Sequence, residues 1–241
     1  MSVRHRFTDL EGAAPAEAVV VIDVLRAFTT APWLLVRGVT RIFAVADVDH
    51  ALALAQGGPL DGALVAGERG GAPLPGFDLG NSPEALTAVD PATLRGRTVV
   101  QRTSAGTQGL LRTSGSRLQL AASFVTAGAT AAALRRTGIA EVTYVVTGAS
   151  LGRDGDEDLA CAELIAARVD GADPDPAPYL ARVASSSWGR MFTAEGPEWA
   201  PAQDLAHAVD VDRFGFTLEG RHDAGLDAVE LTAVSGAGWP T

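Results

Sequence analysis

The sequence contains no lysine, and its 19 Lys or Arg residues are all arginine. This absence excludes a Schiff-base lysine, a catalytic lysine and the lysine of a phosphate-binding P-loop. Its single cysteine, Cys161, excludes an internal disulfide and a cysteine-rich metal site, which is typical of a reducing compartment. Cys161 falls on the apolar side of a predicted helix, so we interpret it as a core residue.

Long apolar runs and basic stripes are also missing. No segment approaches the roughly 20 apolar residues of a membrane span, and residues 1–12 contain no apolar signal core. The net charge of −10 argues against a nucleic-acid partner. We therefore predict a cytoplasmic protein that binds neither membranes nor nucleic acid. A small anionic substrate is compatible with this composition, because local charges set the potential of a site.

Apolar, strand-like segments alternate with helical ones along most of the chain. Strands are predicted at 18–24, 41–46, 63–67, 98–102, 117–122 and 141–147. The helices between them include one capped by Thr29 or Thr30, others that begin at Asp47 and Ser82, and helices at 125–136 and 156–169. After residue 173 we predict helical stretches at 179–192 and 201–209 and a strand pair around 214–234.

This alternation predicts an α/β fold with a largely parallel or mixed sheet and helices on both faces, in three layers. No long linker divides the chain, so we predict one domain over residues 1–241 and leave open a layout with lobes of about 1–115 and 116–241.

The segment 67–83, GERGGAPLPGFDLGNSP, joins a predicted strand to a predicted helix. Its glycines allow backbone to approach a ligand closely, and Glu68, Arg69, Asp78 and Asn81 lie among them. We interpret it as a ligand-binding loop, with a solvated surface loop as the alternative. We call it the 67–83 loop.

Carboxylates and arginines follow several of the predicted parallel strands. Ligands bind at the carboxyl ends of such strands. Asp23 ends an apolar strand, where an unpaired acid is costly, so a functional role is favoured there. Carboxylates suit Mg²⁺ and arginine forks suit phosphate, which together favour metal-assisted phosphoryl transfer. For the acids at 156–158 the alternative is simple stabilisation of a helix start.

Four segments then resemble a known family. IDVLRAFTT at 22–30, GERGG and GFDLGNSP within 67–83, TSAGT at 103–107 and DEDLACAELI at 156–165 have the order and spacing of the 2-phosphosulfolactate phosphatases, the ComB-like family. The resemblance covers about residues 19–169. The aspartyl-nucleophile motif of haloacid-dehalogenase-type phosphatases is excluded, because it needs a second Asp where Leu25 stands.

The resemblance implies a Mg²⁺-dependent phosphatase that hydrolyses 2-phosphosulfolactate to sulfolactate and phosphate, a step of coenzyme M biosynthesis. The turn SAGT departs from the TNGT that is usual in the family, and Ala105 replaces an amide there. We therefore expect this substrate or a related phosphorylated 2-hydroxy acid. The alternatives are a non-catalytic binding protein for a phosphorylated or sulfonated acid and a structural or regulatory subunit. A homodimer is left open.

The site residues combine the resemblance with the charges at the predicted strand ends. Those expected to be catalytic are Asp23, Arg26, Glu68, Arg69, Thr103 and Thr107. Those expected to bind substrate are Asn81, Arg102, Ser104, Gly106 and Arg153. Those expected to bind Mg²⁺ are Asp23, Glu68, Asp78, Glu157 and Asp158.

Overall fold

The computed structural model describes residues 3–150 and 152–235. Their strands form one nine-stranded sheet in the order β1-β7-β2-β6-β8-β9-β3-β5-β4. The strands are β1 (Arg4–Asp9), β2 (Ala18–Ile22), β3 (Arg41–Val45), β4 (Leu64–Gly67), β5 (Thr98–Arg102), β6 (Leu118–Ala122), β7 (Glu141–Val146), β8 (Phe216–Asp223) and β9 (Ala228–Ser235).

The sheet is mixed, as predicted. Strands β1 to β7 pair in parallel wherever they are neighbours, whereas β8 and β9 form an antiparallel hairpin inserted between β6 and β3. Strand β1 was not predicted, since its sequence RHRFTD is polar and it lies at an edge with mostly exposed side chains. Strands from both proposed lobes interleave in this sheet, and the division at about residue 115 stays a prediction.

The helices cover both faces of the sheet. They are α1 (Ala27–Val36), α2 (Val48–Ala55), α3 (Pro83–Thr87), α4 (Pro91–Leu94), α5 (Gly106–Arg112), α6 (Ala127–Arg136), α7 (Asp156–Val169), α8 (Ala177–Ser185) and α9 (Gln203–Ala208), with 3₁₀ turns at Phe124–Thr126 and Gly189–Met191. No helix in the described part of the chain is long and apolar enough to cross a membrane.

Strand β2 lies at the centre of the core, and all of its residues are buried. Val20 and Ile22 pack with α6, α7 and α8 on one face, while Val19 and Val21 pack with α1 and α5 on the other. This burial on both faces explains the continuous valine-rich run in a parallel strand. Cys161 is fully buried in the first of these clusters, which confirms its interpretation as a core residue.

The predicted start of α1 was wrong. The helix begins at Ala27, and neither Thr29 nor Thr30 caps it. Instead the Asp23 carboxylate accepts the Ala27 N–H (2.9 Å), and the Asp23 carbonyl accepts the Phe28 N–H (3.0 Å). The caps predicted at Asp47 and Ser82 are confirmed, because both side chains accept backbone N–H groups of the following helix. The end of β2 and the start of α1 are therefore joined through Asp23.

Candidate active site

A cavity of about 230 Å³ lies where the loops after β2, β4, β5 and β7 converge. This is the carboxyl edge of the parallel strands, where ligands bind in such sheets. Six of the sequence-predicted site residues line it: Asp23, Arg26, Glu68, Asn81, Ser104 and Arg153. The structure thus brings together three of the four motif segments, with Arg153 added from the loop after β7.

Asp23 is one of the two carboxylates that line this cavity, with Glu68, and only 6% of it is exposed. The pKa of Asp23 is raised to about 7, chiefly by burial and further by the nearby Glu68 and Glu157 carboxylates, against the lowering effect of the Ala27 amide and Arg153. Gly106 lets the next loop approach, because a Cβ there would stand 2.7 Å from Asp23 Oδ2. Asp23 is thus closely packed, and among the described residues no arginine forms a salt bridge with it.

Two further acids lie beside Asp23, at the start of α7. Asp158 is saturated: its Oδ1 accepts the Val24 N–H (2.7 Å), and its Oδ2 accepts the Gly148 N–H (2.7 Å) and the Thr147 hydroxyl (3.2 Å). Glu157 is also buried, but no described residue donates a hydrogen bond to its Oε2. Burial raises the pKa of both carboxyls. Stabilisation of a helix start does not by itself account for the burial of both acids or for a Glu157 Oε2 without a donor from the described residues.

Glu68 organises the first turn of the 67–83 loop. Its Oε1 accepts the Ser104 N–H (2.6 Å), and its Oε2 accepts the Gly71 N–H (2.6 Å) and the Ser104 hydroxyl (3.2 Å). The Ser104 hydroxyl in turn accepts the Gly70 N–H (2.9 Å). Glu68 thus ties the loop after β4 to the loop after β5, and this half of the 67–83 loop is ordered around the cavity.

The cavity receives its positive charge from two arginines in different environments. Arg26 is 3% exposed and forms a salt bridge with Asp204 (2.7 Å). Arg153 lies over the ring of Trp188, with its guanidinium carbon 4.6 Å from the ring centroid, and bonds Ser150. No carboxylate of the described residues forms a salt bridge with Arg153. Its charge is therefore the one more available to an anionic ligand.

Several predicted site residues are not among the described residues that line the cavity: Arg69, Asp78, Arg102, Thr103, Gly106, Thr107, Glu157 and Asp158. Arg69 and Asp78 are exposed, and Asp78 accepts the Val65 N–H at 2.8 Å. Arg102 donates to the Glu68 carbonyl (2.8 Å). Thr103 and Thr107 exchange hydrogen bonds between hydroxyl and backbone N–H, which closes the turn before α5. The site roles assigned to these residues stay predictions.

The contribution of the C-terminal part of the chain to the cavity was not predicted from the sequence. Trp188 lines the cavity and stacks with Trp199, whose centroid is 5.8 Å away. Gly71 faces the Trp199 ring so closely that a Cβ would stand 2.2 Å from it. Asp204 is fully buried and binds Arg26. The rarity of tryptophan, four in the chain, was the one available signal; nothing in the sequence marked Asp204.

The acids do not form a ready-made metal site of three or more ligands. Within residues 3–150 and 152–235 no three His, Cys, Asp or Glu side chains are arranged to hold a metal ion. Mg²⁺, however, commonly uses one or two protein carboxylates together with water and substrate phosphate. Asp23 and Glu157 fit that smaller donor set, since Glu157 Oε2 is buried without a donor from the described residues. Both oxygens of Asp158 and of Glu68 accept backbone N–H groups, whereas Asp23 accepts one through Oδ1 alone. Asp78 is not among the residues that line the cavity.

Comparison with known proteins agrees with the motifs. A family model described as 2-phosphosulpholactate phosphatase matches residues 5–192. A Synechococcus sp. (strain JA-2-3B'a(2-13)) protein named "Probable 2-phosphosulfolactate phosphatase" is 36% identical over 213 residues, which cover 82% of this chain and 86% of the relative. A protein of the same name from Synechococcus sp. (strain JA-3-3Ab) is 35% identical, covering 83% of this chain and 86% of the relative. A third protein of this name, from Carboxydothermus hydrogenoformans, is 41% identical over 118 residues, which cover 49% of this chain and 47% of the relative.

Proposed function

Because the chain belongs to the 2-phosphosulfolactate phosphatase family, we propose that it hydrolyses the phosphate ester of a small phosphorylated 2-hydroxy acid in the cavity beside Asp23. The observation that carries this proposal is that Asp23 shares one small cavity with Arg26 and Arg153. Phosphoryl transfer depends chiefly on positioning and on stabilising charge at the phosphoryl oxygens. 2-Phosphosulfolactate, named in the relatives, is the first substrate to test.

The chain's own groups divide this work. Arg153, which is not paired with a carboxylate, binds an anionic group of the substrate, and Arg26 presents its remaining donors to a second one. Trp188 and Leu25 give the cavity an apolar wall that limits water. Asp23 either attacks the phosphoryl group or accepts a proton from the attacking water, and both roles require it to be ionised.

A bound Mg²⁺ accounts for an ionised Asp23 in this buried place. Asp23 and Glu157 would hold the ion, as the unsatisfied Oε2 of Glu157 supports. When bound, Mg²⁺ supplies the positive charge that keeps these acids ionised and that polarises the phosphoryl oxygens. The link to coenzyme M biosynthesis that the resemblance implies stays a prediction.

The test is phosphate release from 2-phosphosulfolactate and from phospholactate. We expect release to stop with chelator and to return with Mg²⁺, and Asp23→Asn should abolish both release and stabilisation by Mg²⁺. Asp173→Asn is the matched control, because Asp173 is an exposed acid that is neither a predicted site residue nor part of the cavity lining. It should retain the Mg²⁺ dependence.

Three results would contradict parts of this proposal. Turnover without metal would exclude the Mg²⁺ role. Saturable binding of the substrate without release of phosphate would favour the binding-protein alternative, to which the change at Ala105, a cavity residue, is relevant. An unchanged melting temperature with metal and with every small acid would favour a structural subunit. A single turnover in oxygen-18 water separates the two roles of Asp23, because a nucleophilic carboxylate takes the first label itself.

A further inference from the structure

Arg26 is held from the C-terminal part of the chain. Its Nη1 donates to Asp204 Oδ2 (2.7 Å) and to the Trp199 carbonyl (2.6 Å), and its Nη2 donates to the Gly71 carbonyl (3.2 Å). Asp204 and Trp199 lie beyond residue 192, where the match to the family model ends. The side chains of Arg26 and Asp204 are 3% and 0% exposed. The buried charge of Arg26 is thus paired with Asp204, a residue that belongs to none of the sequence motifs.

These contacts determine which edge of the guanidinium is available. Arginine has five N–H donors in a rigid planar fork. Both Nη1 hydrogens and one Nη2 hydrogen are used by Asp204, Trp199 and Gly71. No hydrogen bond from a described residue occupies the Nε–H or the second Nη2 hydrogen, so the donors that remain are on Nε and Nη2. Arg26 lines the cavity that holds Asp23, so this edge can serve an anionic ligand.

The second oxygen of Asp204 has a different task. Its Oδ1 accepts the Ser82 hydroxyl (2.8 Å) and the Glu84 N–H (2.9 Å), which join α9 to the first turn of α3. Asn81, just before that turn, lines the cavity. The two carboxylate oxygens of Asp204 therefore have different partners. Oδ2 binds Arg26, and Oδ1 binds the end of the 67–83 loop and the first turn of α3.

A buried ion pair is seldom retained for stability alone, since the loss of hydration offsets much of the attraction. We propose that Asp204 is a positioning residue of the active site, which acts through Arg26 by turning the Nε and Nη2 edge of the guanidinium toward the anionic groups of the substrate. This inference rests on the proposed phosphatase function. The Phe192 ring supports the same orientation, with its centroid 5.1 Å from the guanidinium carbon of Arg26.

Asp204→Asn tests the inference directly. The amide oxygen can still accept from Ser82 and Glu84, whereas the amide nitrogen would face Arg26 Nη1, and two donors cannot bond each other. We expect kcat/KM to fall about 100-fold, as for a displaced catalytic group. Ser82→Ala is the matched control, because it removes a contact of the other oxygen and a helix cap while it keeps the pair with Arg26. Its activity per folded molecule should stay close to that of the wild type.

A second pair of variants separates positioning from a structural role. If Asp204 acts through Arg26, Asp204→Asn should lower kcat/KM by no more than about two-fold in an Arg26→Gln background, since coupled residues are not additive. Asp204→Glu keeps the charge but moves the carboxylate outward. A positioning role predicts that it also loses activity, whereas full activity in any folded Asp204 variant would overturn the inference.

Binding of inorganic phosphate distinguishes this inference from the proposed function. Phosphate should raise the melting temperature of the wild type, and Asp204→Asn should reduce that shift. If the wild type releases no phosphate from any substrate but the two proteins still differ in this shift, the phosphatase proposal fails and the positioning role stands. If the wild type is active and both the shift and kcat/KM are unchanged in Asp204→Asn, the positioning role fails alone.

Discussion

Replacement of Asp23 by Asn should make the metal-free protein more stable at alkaline pH. Asp23 is buried beside Glu68 and Glu157, and its pKa is raised from 3.8 to about 7. The folded protein therefore pays a free-energy cost to ionise Asp23, whereas the unfolded chain does not. Asn keeps the oxygen that accepts the Ala27 N–H but never ionises. The variant should consequently lose activity and gain stability.

The size of the effect follows from the pKa difference. Below pH 3.8 both states hold the proton, and the stabilisation from the raised pKa is fully present. It is lost as the pH rises through 7, because the folded protein then ionises as well. Each unit of pH in between lowers the free energy of unfolding by about 1.36 kcal/mol for one group. The two units from pH 5 to pH 7 thus correspond to about 3 kcal/mol.

Urea denaturation of chelator-treated protein at pH 5 and pH 8 measures this difference. We expect the wild type to lose about 3 kcal/mol more than Asp23→Asn between these two values. Glu157 and Asp158 titrate in both proteins, and the difference between the two proteins therefore reports Asp23 together with its coupling to these acids. A variant that is destabilised equally at both pH values would refute the reasoning. It would mean that Asp23 is a structural acid that is already ionised and paired in the folded protein.

Two further predictions concern neighbours of Asp23. Arg153→Met should raise KM about 10-fold or more, because it removes the cavity charge that forms no salt bridge with a described carboxylate. Arg136→Met, a change at an exposed arginine that is neither a predicted site residue nor part of the cavity lining, should leave KM within about two-fold. Gly106→Ala should cost about 2 kcal/mol in urea denaturation and most of the activity, since its Cβ would meet Asp23 Oδ2 at 2.7 Å, whereas Gly80→Ala, which meets nothing within 4 Å, should be nearly neutral. A neutral Gly106→Ala, or equal KM values for both arginine variants, would show that the cavity is not the site.

Local signals in the sequence predicted much of the fold. The strand at 98–102 and the helix at 156–169 have the predicted bounds. Asp47 and Ser82 cap helices as expected, because a capping side chain bonds to backbone only two or three residues away. Asp23 was singled out for the same kind of reason, since an acid that ends an apolar strand is visible without knowledge of its neighbours.

Signals that depend on distant partners were misread or missed. Thr29 was expected to cap α1, but its hydroxyl donates to the Val24 carbonyl and to the Ser123 hydroxyl, which lies 94 residues away in the chain. Arg69 and Arg153 are both arginines in predicted loops, and the sequence does not distinguish them. Only Arg153 lines the cavity, because the packing of the loops determines which side chain reaches it. The edge strand β1 became a strand by pairing with β7, although its own sequence is polar.

The sequence by itself determined the alternating α/β order, the edge of the sheet where the site forms and the family to which its motifs belong, because these depend on short-range periodicity and on residues close together in the chain. Only the tertiary structure decided which charges meet. The Arg26–Asp204 pair joins residues 178 positions apart, and the acids at α7 approach Asp23 only because β7 lies beside β2. Burial at that meeting point, together with the charges of Glu68 and Glu157, raises the pKa of Asp23. Contacts with Asp204, Trp199 and Gly71, and not any property of the separate motifs, hold the Arg26 guanidinium in place.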